Sequence, residues 1–282
     1  MRCHAFRSIA HGAVAALTLA LLITPAAAQN SEANNVDLCN GRDRSSPEPQ
    51  IAGCTALIKA DADNPRVLAV AYNNRGNAYT AKGEYELAIH DYEESIKARP
   101  GYAKPFNNRG VVYEKQGQFD LAIQDFDAAI KIDANYADAF ANRAETYQKK
   151  GDYTHALQDF DVAIRLQPTL KMLWNERCWT RAIVGDLQAA LTDCNEATRL
   201  EPTDAAAFDS RGLTYLKLGK WPAAIADYDS ALQINPKLSS SLYGRGLAKL
   251  KNGDAAGGNS DIAAAKSLQR DIVDKFSHYG VH

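Results

Sequence analysis

The chain has 282 residues, with 32 Lys and Arg against 34 Asp and Glu and a formal net charge of −2. The two signs are evenly mixed and no basic block occurs, so nothing in the charge pattern supports a nucleic acid or an anionic membrane as partner.

The first 28 residues read as a secretory leader. Arg2 and Arg7 supply a positive start, Ala13 to Ile23 an apolar run, and Pro25 followed by Ala26, Ala27 and Ala28 a small-residue cleavage site. The apolar run is well short of the ~20 residues that span a bilayer. The two arginines are not adjacent, which points to the ordinary secretory route. Cys3 precedes the apolar run, so it is not a lipid-attachment cysteine. The expectation is a soluble periplasmic or secreted protein beginning at Gln29, with no membrane insertion once the leader is cut after Ala28. Cleavage removes two arginines and no acid, taking the balance to 30 − 34 = −4.

Residues 29–68 are expected to form an N-terminal cap. The polar stretch 29–46 predicts no regular element, apart from fixing Cys39. Ile51 to Ile58 has the apolar spacing of a helix, with Cys54 facing inward, and Lys59 to Leu68 reads as a connection.

From Ala69 to Arg270 one skeleton recurs with a fixed period. The eighth residue of each 34-residue block is Gly76, Gly110, Ala144, Cys178, Gly212 or Gly246. The twentieth is Ala88, Ala122, Ala156, Ala190, Ala224 or Gly258. Such a period marks stacked supersecondary units that bury their faces on one another. The units are 69–102, 103–136, 137–170, 171–204, 205–238 and 239–272. Each reads as two amphipathic helices. In the first, Tyr72, Gly76 and Tyr79 stripe the leading helix, and Gly83 breaks it. Ala88, Tyr92, Ser95 and Ile96 follow on the trailing helix, and Pro100 stops it. Beyond Arg270, residues 271–282 place Phe276, Tyr279 and Gly280 at positions four, seven and eight of an unfinished block. They predict a single closing helix over the last open face.

The run from Tyr72 through Asn73, Asn74, Arg75, Gly76, Asn77 and Ala78 to Tyr79, followed by Ala88 and Pro100, resembles the tetratricopeptide repeat. The wording is also similar to exported repeat proteins of Gram-negative bacteria, some of which are adaptors. The resemblance implies an all-α, right-handed solenoid of six helix-turn-helix units between helical caps. Its concave face would be lined by the leading helices through positions 2, 5, 6, 9, 12 and 13.

Four cysteines remain after cleavage. Repeats touch only their neighbours, so Cys39 is expected to pair with Cys54 and Cys178 with Cys194. In the fourth block alone, cysteines replace both the small residue at position 8 and the bulky side chain at position 24, as if the two face each other. Arg75, Arg109, Arg143, Arg177, Arg211 and Arg245 share position 7, and Asp91, Asp125, Asp159, Asp193, Asp227 and Asp261 share position 23. A feature present in every block most plainly serves folding, so these are expected to be bidentate pairs between leading and trailing helices.

The resemblance assigns Asn73, Asn74, Asn77, Asn107, Asn108 and Asn142 to the concave face of the first three blocks, with Lys104, Lys115 and Lys149 nearby. An asparagine both donates and accepts, so a row of them could hold an extended backbone whatever its sequence. Position 6 then changes to Glu176, Ser210 and Gly244. The later blocks carry Met172, Trp179, Ile183, Leu213, Leu216, Tyr243, Leu247 and Leu250 at groove positions. This stripe is either a partner surface, with Trp179 and Tyr243 as first anchors and Leu213 beside them, or is buried by a tighter superhelix, the tail or a second copy. A carboxylate clamp of the kind some tetratricopeptide domains use is not supported: Asn77 and Asn108 match it, but Asn73, Asp138 and Asn142 stand where bases belong.

His90 and His155 occupy different positions of different trailing helices, and His278 and His282 lie at the extreme terminus. No metal site, cofactor or catalytic grouping is expected. The reading is a non-catalytic periplasmic adaptor or scaffold that binds other envelope proteins through its groove. The alternative is a structural solenoid that self-associates through the apolar half-groove of blocks four to six.

Overall fold

The computed structural model describes residues 33–41 and 46–281. The expected leader and His282 lie outside them. Helical residues 33–39 are α1. There follow α2 (Pro47–Ala60), α3 (Pro65–Lys82), α4 (Tyr85–Ala98), α5 (Ala103–Lys115), α6 (Phe119–Ile132), α7 (Ala137–Lys150) and α8 (Tyr153–Leu166). The chain continues with α9 (Lys171–Val184), α10 (Leu187–Leu200), α11 (Ala205–Lys217), α12 (Trp221–Ile234), α13 (Ser239–Lys251), α14 (Ala255–Leu268) and α15 (Ile272–His278). The fold is an all-α helical-repeat solenoid.

Each repeat turns at a glycine held at positive φ, from Gly83 (76°) through Gly151 (77°) to Gly253 (95°). There the chain reverses with two bonds, as when Gly83 N donates to Thr80 O and Glu84 N to Tyr79 O. Such a left-handed closure suits glycine because no Cβ meets the carbonyl that follows. The leading glycine at position 8 has a different reason. A Cβ on Gly76 would lie 2.7 Å from the Tyr92 ring, and one on Gly110 2.7 Å from the Phe126 ring. Position 24 therefore fills the space that position 8 vacates, and the helix pair closes on fully buried Tyr92, Phe126, Phe160 and Tyr228.

Consecutive leading helices α3, α5, α7, α9, α11 and α13 touch one another. Among the described residues, no trailing helix touches the next trailing helix. The stack is thus tighter on the leading side, which makes that side concave.

The front end differs from the sequence expectation. Residues 33–39 are helical, and Gly53 lets α1 lie against α2: a Cβ there would stand 2.6 Å from Leu38 Cβ and 2.8 Å from Asn35 O. The cap is therefore a hairpin. The connection 59–68 also shrinks, because α2 runs to Ala60 and α3 starts at Pro65. Asn64 accepts from the amides of Arg66 and Val67, and Pro65 suits the first helical position, so the residues before Ala69 extend the helix backwards.

Cys39 bridges to Cys54 and Cys178 to Cys194, with Cα atoms 4.5 and 5.2 Å apart. Each bond staples a leading to a trailing helix, and the second occupies, in the fourth repeat, the place that Gly76 and Tyr92 fill in the first. With sequence separations of 15 and 16, reduction is expected to cost about 3 kcal/mol per bridge. Urea unfolding with and without reductant measures this, and coincident curves would refute it.

Candidate functional site

The arginines at position 7 hold the scaffold around the groove. Arg75 Nε and Nη2 donate to Asp91 at 2.7 and 2.8 Å, and the fork recurs at Arg109–Asp125, Arg143–Asp159, Arg177–Asp193, Arg211–Asp227 and Arg245–Asp261. The aspartates are buried. Burial raises the Asp125 pKa, and the Arg109 hydrogen bonds pull against it. At Asp261 burial likewise opposes ionisation, but Arg245 and Lys249 outweigh it and hold the pKa below the ordinary value.

Each arginine also reaches back with Nη1. Arg177 donates to Asp161 and Arg245 to Asp229, both at 2.7 Å, while Arg143 pairs with Asp127. Arg211 donates to Asn195 at 3.1 Å and Arg109 lies 3.7 Å from Glu93. One guanidinium therefore ties three helices of two repeats together. The recurrence of an acid at position 25 was legible in the sequence as a signal for this second contact.

The asparagines behave differently from a free ladder. Asn142 Nδ2 donates to Asn107 Oδ1 at 2.9 Å, and Asn107 Nδ2 to Asn108 Oδ1 at 3.4 Å. Asn108 Nδ2 donates to Asn73 Oδ1 and Asn77 Oδ1, both at 2.9 Å. Asn73 then donates to Asn74 at 3.1 Å, and Asn74 to Asn40 at 3.3 Å. Asn73 and Asn107 are buried, contrary to their expected place on the open face. Position 5 points into the seam between adjacent leading helices, where a polar side chain must find a partner. Asn74, Asn108 and Asn142 are half-buried, and Asn77 is exposed. This row sews successive leading helices together and presents its outer edge to the groove.

The apolar half-groove is covered by the chain's own end. Ile272 and Phe276 are buried, with Phe276 edge-on to Tyr243 at 4.8 Å. Tyr279 stands edge-on to Trp179 at 5.5 Å. Lys217 Nζ donates to Ala182 O and Tyr279 O at 2.6 and 2.7 Å, locking the tail to the last turn of α9. Leu213 and Tyr243 are consequently buried at 4% and 8% exposure, so neither is an open anchor. Trp179 stays half-buried, while Met172 is exposed at 46%. Of the sequence alternatives for this stripe, burial by the tail is the arrangement found for Leu213, Leu216 and Tyr243, while Trp179, Ile183, Leu247 and Leu250 stay partly exposed.

Between the asparagine row and the tail lies a cavity of about 380 Å³, lined by Gln148, Lys149, Asn175, Glu176, Trp179, Ala206, Asp209 and Ser210. These residues come from α7, α9 and α11, with Asn175 and Asp209 at the seam position 5 and the others at positions 2, 6, 9, 12 and 13. Burial raises the pKa of both Glu176 and Asp209. Glu145, one helix back, is pushed up to about 7 by burial and by repulsion from Glu176 and Glu114, with Lys149 working the other way. Lys149 itself is paired with Glu114. Glu145 binds its proton more tightly folded than unfolded, so its share of stability is full below about pH 4.5 and lost as pH rises through about 7. Glu145→Gln should therefore raise the melting temperature at pH 8 and leave it nearly unchanged at pH 4. Equal shifts at both values would contradict this reading.

A second buried oddity lies below the tail. Tyr92 OH donates to Asn77 Oδ1 at 2.9 Å, whereas the equivalent Tyr228 OH is buried without a partner. It fits because Gly244 lacks a side chain; a Cβ there would lie 2.3 Å from that oxygen. Tyr228→Phe removes an unpaired hydroxyl and is expected to stabilise the chain by about 1 kcal/mol. A loss of stability in urea unfolding would show that the hydroxyl has a partner.

Among the described residues, no group of His, Cys, Asp and Glu could hold a metal ion, and no helix is long and apolar enough to cross a membrane. His278 Nδ1 lies 2.7 Å from Asp274 O, within its own turn.

Comparison with known proteins agrees with this architecture. A family model described as TPR repeat matches residues 76–117 and 212–253, and two described as tetratricopeptide repeat match 103–136 and 137–170. No curated protein matches the sequence. Among solved structures, a tetratricopeptide repeat protein from Parabacteroides merdae is 18% identical with a TM-score of 0.64, covering 89% of this chain and 99% of its own. The pilF protein of Pseudomonas aeruginosa is 18% identical with a TM-score of 0.65, covering 76% of this chain and 98% of its own. YrrB, described as a TPR protein with an unusual peptide-binding site, is 17% identical with a TM-score of 0.54 over 66% of this chain and 97% of its own. At these identities the likeness speaks for fold alone. The chain carries tetratricopeptide repeats and folds as a tetratricopeptide-repeat solenoid.

Proposed function

We propose that this protein is a non-catalytic adaptor, exported to the periplasm, that holds an extended segment of a partner protein in its concave groove. The carrying observation is the cavity among Asn175, Glu176, Trp179 and Asp209, flanked on one side by the outward edge of the asparagine row. Pockets that join a few convergent polar groups to an aromatic wall are where ligands bind. The groove stays open over the first four repeats, and the chain's own tail fills its far end, so a partner segment stops at Trp179. The leader of residues 1–28 supports the exported location, and an envelope protein is the partner class that follows from it. YrrB gives a peptide-binding precedent on the same fold.

Ala206 is exposed at the rim of the cavity. Ala206→Tyr fills the cavity without touching the arginine pairs. Capture from periplasmic extract should lose its partner with this variant while its circular dichroism stays unchanged. Retention of the same partner would move the binding surface elsewhere.

A further inference from the structure

The cavity beside Trp179 carries a chemistry that a backbone clamp does not need. Asn175 is buried at 9% exposure, lines the cavity, and its Oδ1 has no hydrogen-bond partner. An amide oxygen left bare in a buried place is costly, so its natural complement is a donor. The neighbouring charged groups share one preference. Glu176 and Asp209 line the same cavity, and Glu145 and Asp204 stand within electrostatic reach of Glu176. The bases are Lys149, which lines the cavity but has its ammonium paired with Glu114, and Lys275, which acts on Asp209 from outside it. Trp179 contributes an aromatic wall of the kind that attracts cations.

We propose that this cavity takes the cationic side chain of a lysine or arginine carried by the partner's extended segment, with Glu176, Asp209 and Asn175 Oδ1 accepting its hydrogen bonds and Trp179 flanking its stem. The inference rests on the groove reading above and names the residue class that the groove selects. An ammonium or guanidinium offers donors and no acceptor, which matches two carboxylates and one orphan carbonyl oxygen in a pocket whose own lysine is paired with Glu114. It also relieves the repulsion stored between Glu145 and Glu176, a gain no neutral or acidic side chain supplies. The long aliphatic stem of either residue suits a polar base reached past an indole. Ser241 and Ser240 both hydrogen-bond Asp209 and hold its carboxylate in place; a carboxylate has about four acceptor sites, which leaves room for the ligand's donor.

The test follows the indole N–H resonance of Trp179 in labelled protein, assigned by Trp179→Phe among the three tryptophans. The probes are capped glycine-serine nonapeptides carrying one central lysine, norleucine or glutamate, and putrescine alone. The lysine peptide should shift the resonance to saturation, and norleucine should bind about tenfold more weakly or worse. Glu176→Gln should weaken the lysine peptide by a similar factor and leave norleucine unaffected. Lysine and norleucine peptides binding equally would overturn the cation inference while the groove reading stands. No shift with any peptide, combined with partner capture abolished by Ala206→Tyr, would do the same. No shift and unaffected capture would remove both readings. Putrescine binding as tightly as the lysine peptide would overturn a protein segment as the occupant.

Discussion

Phe276→Ala should cost about 4 kcal/mol and make the chain associate as concentration rises. Phe276 is 2% exposed and packs edge-on to Tyr243 at 4.8 Å and against Tyr279 at 5.6 Å. Removing its ring leaves a cavity under α15, which has only seven residues and few other anchors. A helix that short does not hold its shape without tertiary packing. Its loss would free Tyr279 from Trp179 and uncover Leu213, Leu216, Tyr243 and Leu247 together. That surface is the apolar stripe visible in the sequence, and exposed it would self-associate. Urea unfolding and light scattering at several concentrations measure both effects. A cost below about 1 kcal/mol with an unchanged mass would mean that the tail is ornamental.

Asp193→Ala is expected to cost about 3–5 kcal/mol, whereas Asp161→Ala should cost under about 1 kcal/mol, although both carboxylates contact Arg177 at 2.7 Å. The difference lies in burial. Asp193 is 1% exposed and accepts from Arg177 Nε and Nη2 and also from Arg181 Nη1 at 2.8 Å. Its removal leaves two largely covered guanidinium groups, 12% and 21% exposed, with only the exposed Asp161 between them. Asp161 is 54% exposed, and water replaces it at little cost. Matched unfolding curves decide the matter, and equal losses would show that the fork carries no special stability.

Periodicity made most of the fold legible. Repeating glycines and alanines at positions 8 and 20, with bulky residues at 24, encode the helix pair directly, because one small residue must face each ring. The arginine and aspartate positions were equally readable, since chemistry repeated six times at one spacing serves the scaffold. The groove was harder to read for two reasons. Asn73 and Asn74 are adjacent, yet one is buried in the seam and the other half-open, a difference of helix phase that composition does not encode. Whether the stripe from Trp179 to Leu250 faces water depended on where α15 folds back, and α15 belongs to no complete repeat. Helix α1 was missed for the same reason: its partner Gly53 signals close packing only once α1 is known to lie there. Of the cavity residues, Lys149, Glu176, Trp179 and Ser210 were visible at or beside the groove, but Asn175 and Asp209 escaped notice because position 5 sits in the seam and opens to a cavity only where the neighbouring helices leave room.

Site-specific photocrosslinking in intact cells tests most directly whether the groove is the working surface. A photoreactive residue at Asn108 or Ala206, on the concave side, is compared with one at His90 or Leu121, on trailing helices α4 and α6. The expected result is one partner band from both concave positions and none from the outer pair. The same band from the outer positions alone would contradict a groove-binding adaptor.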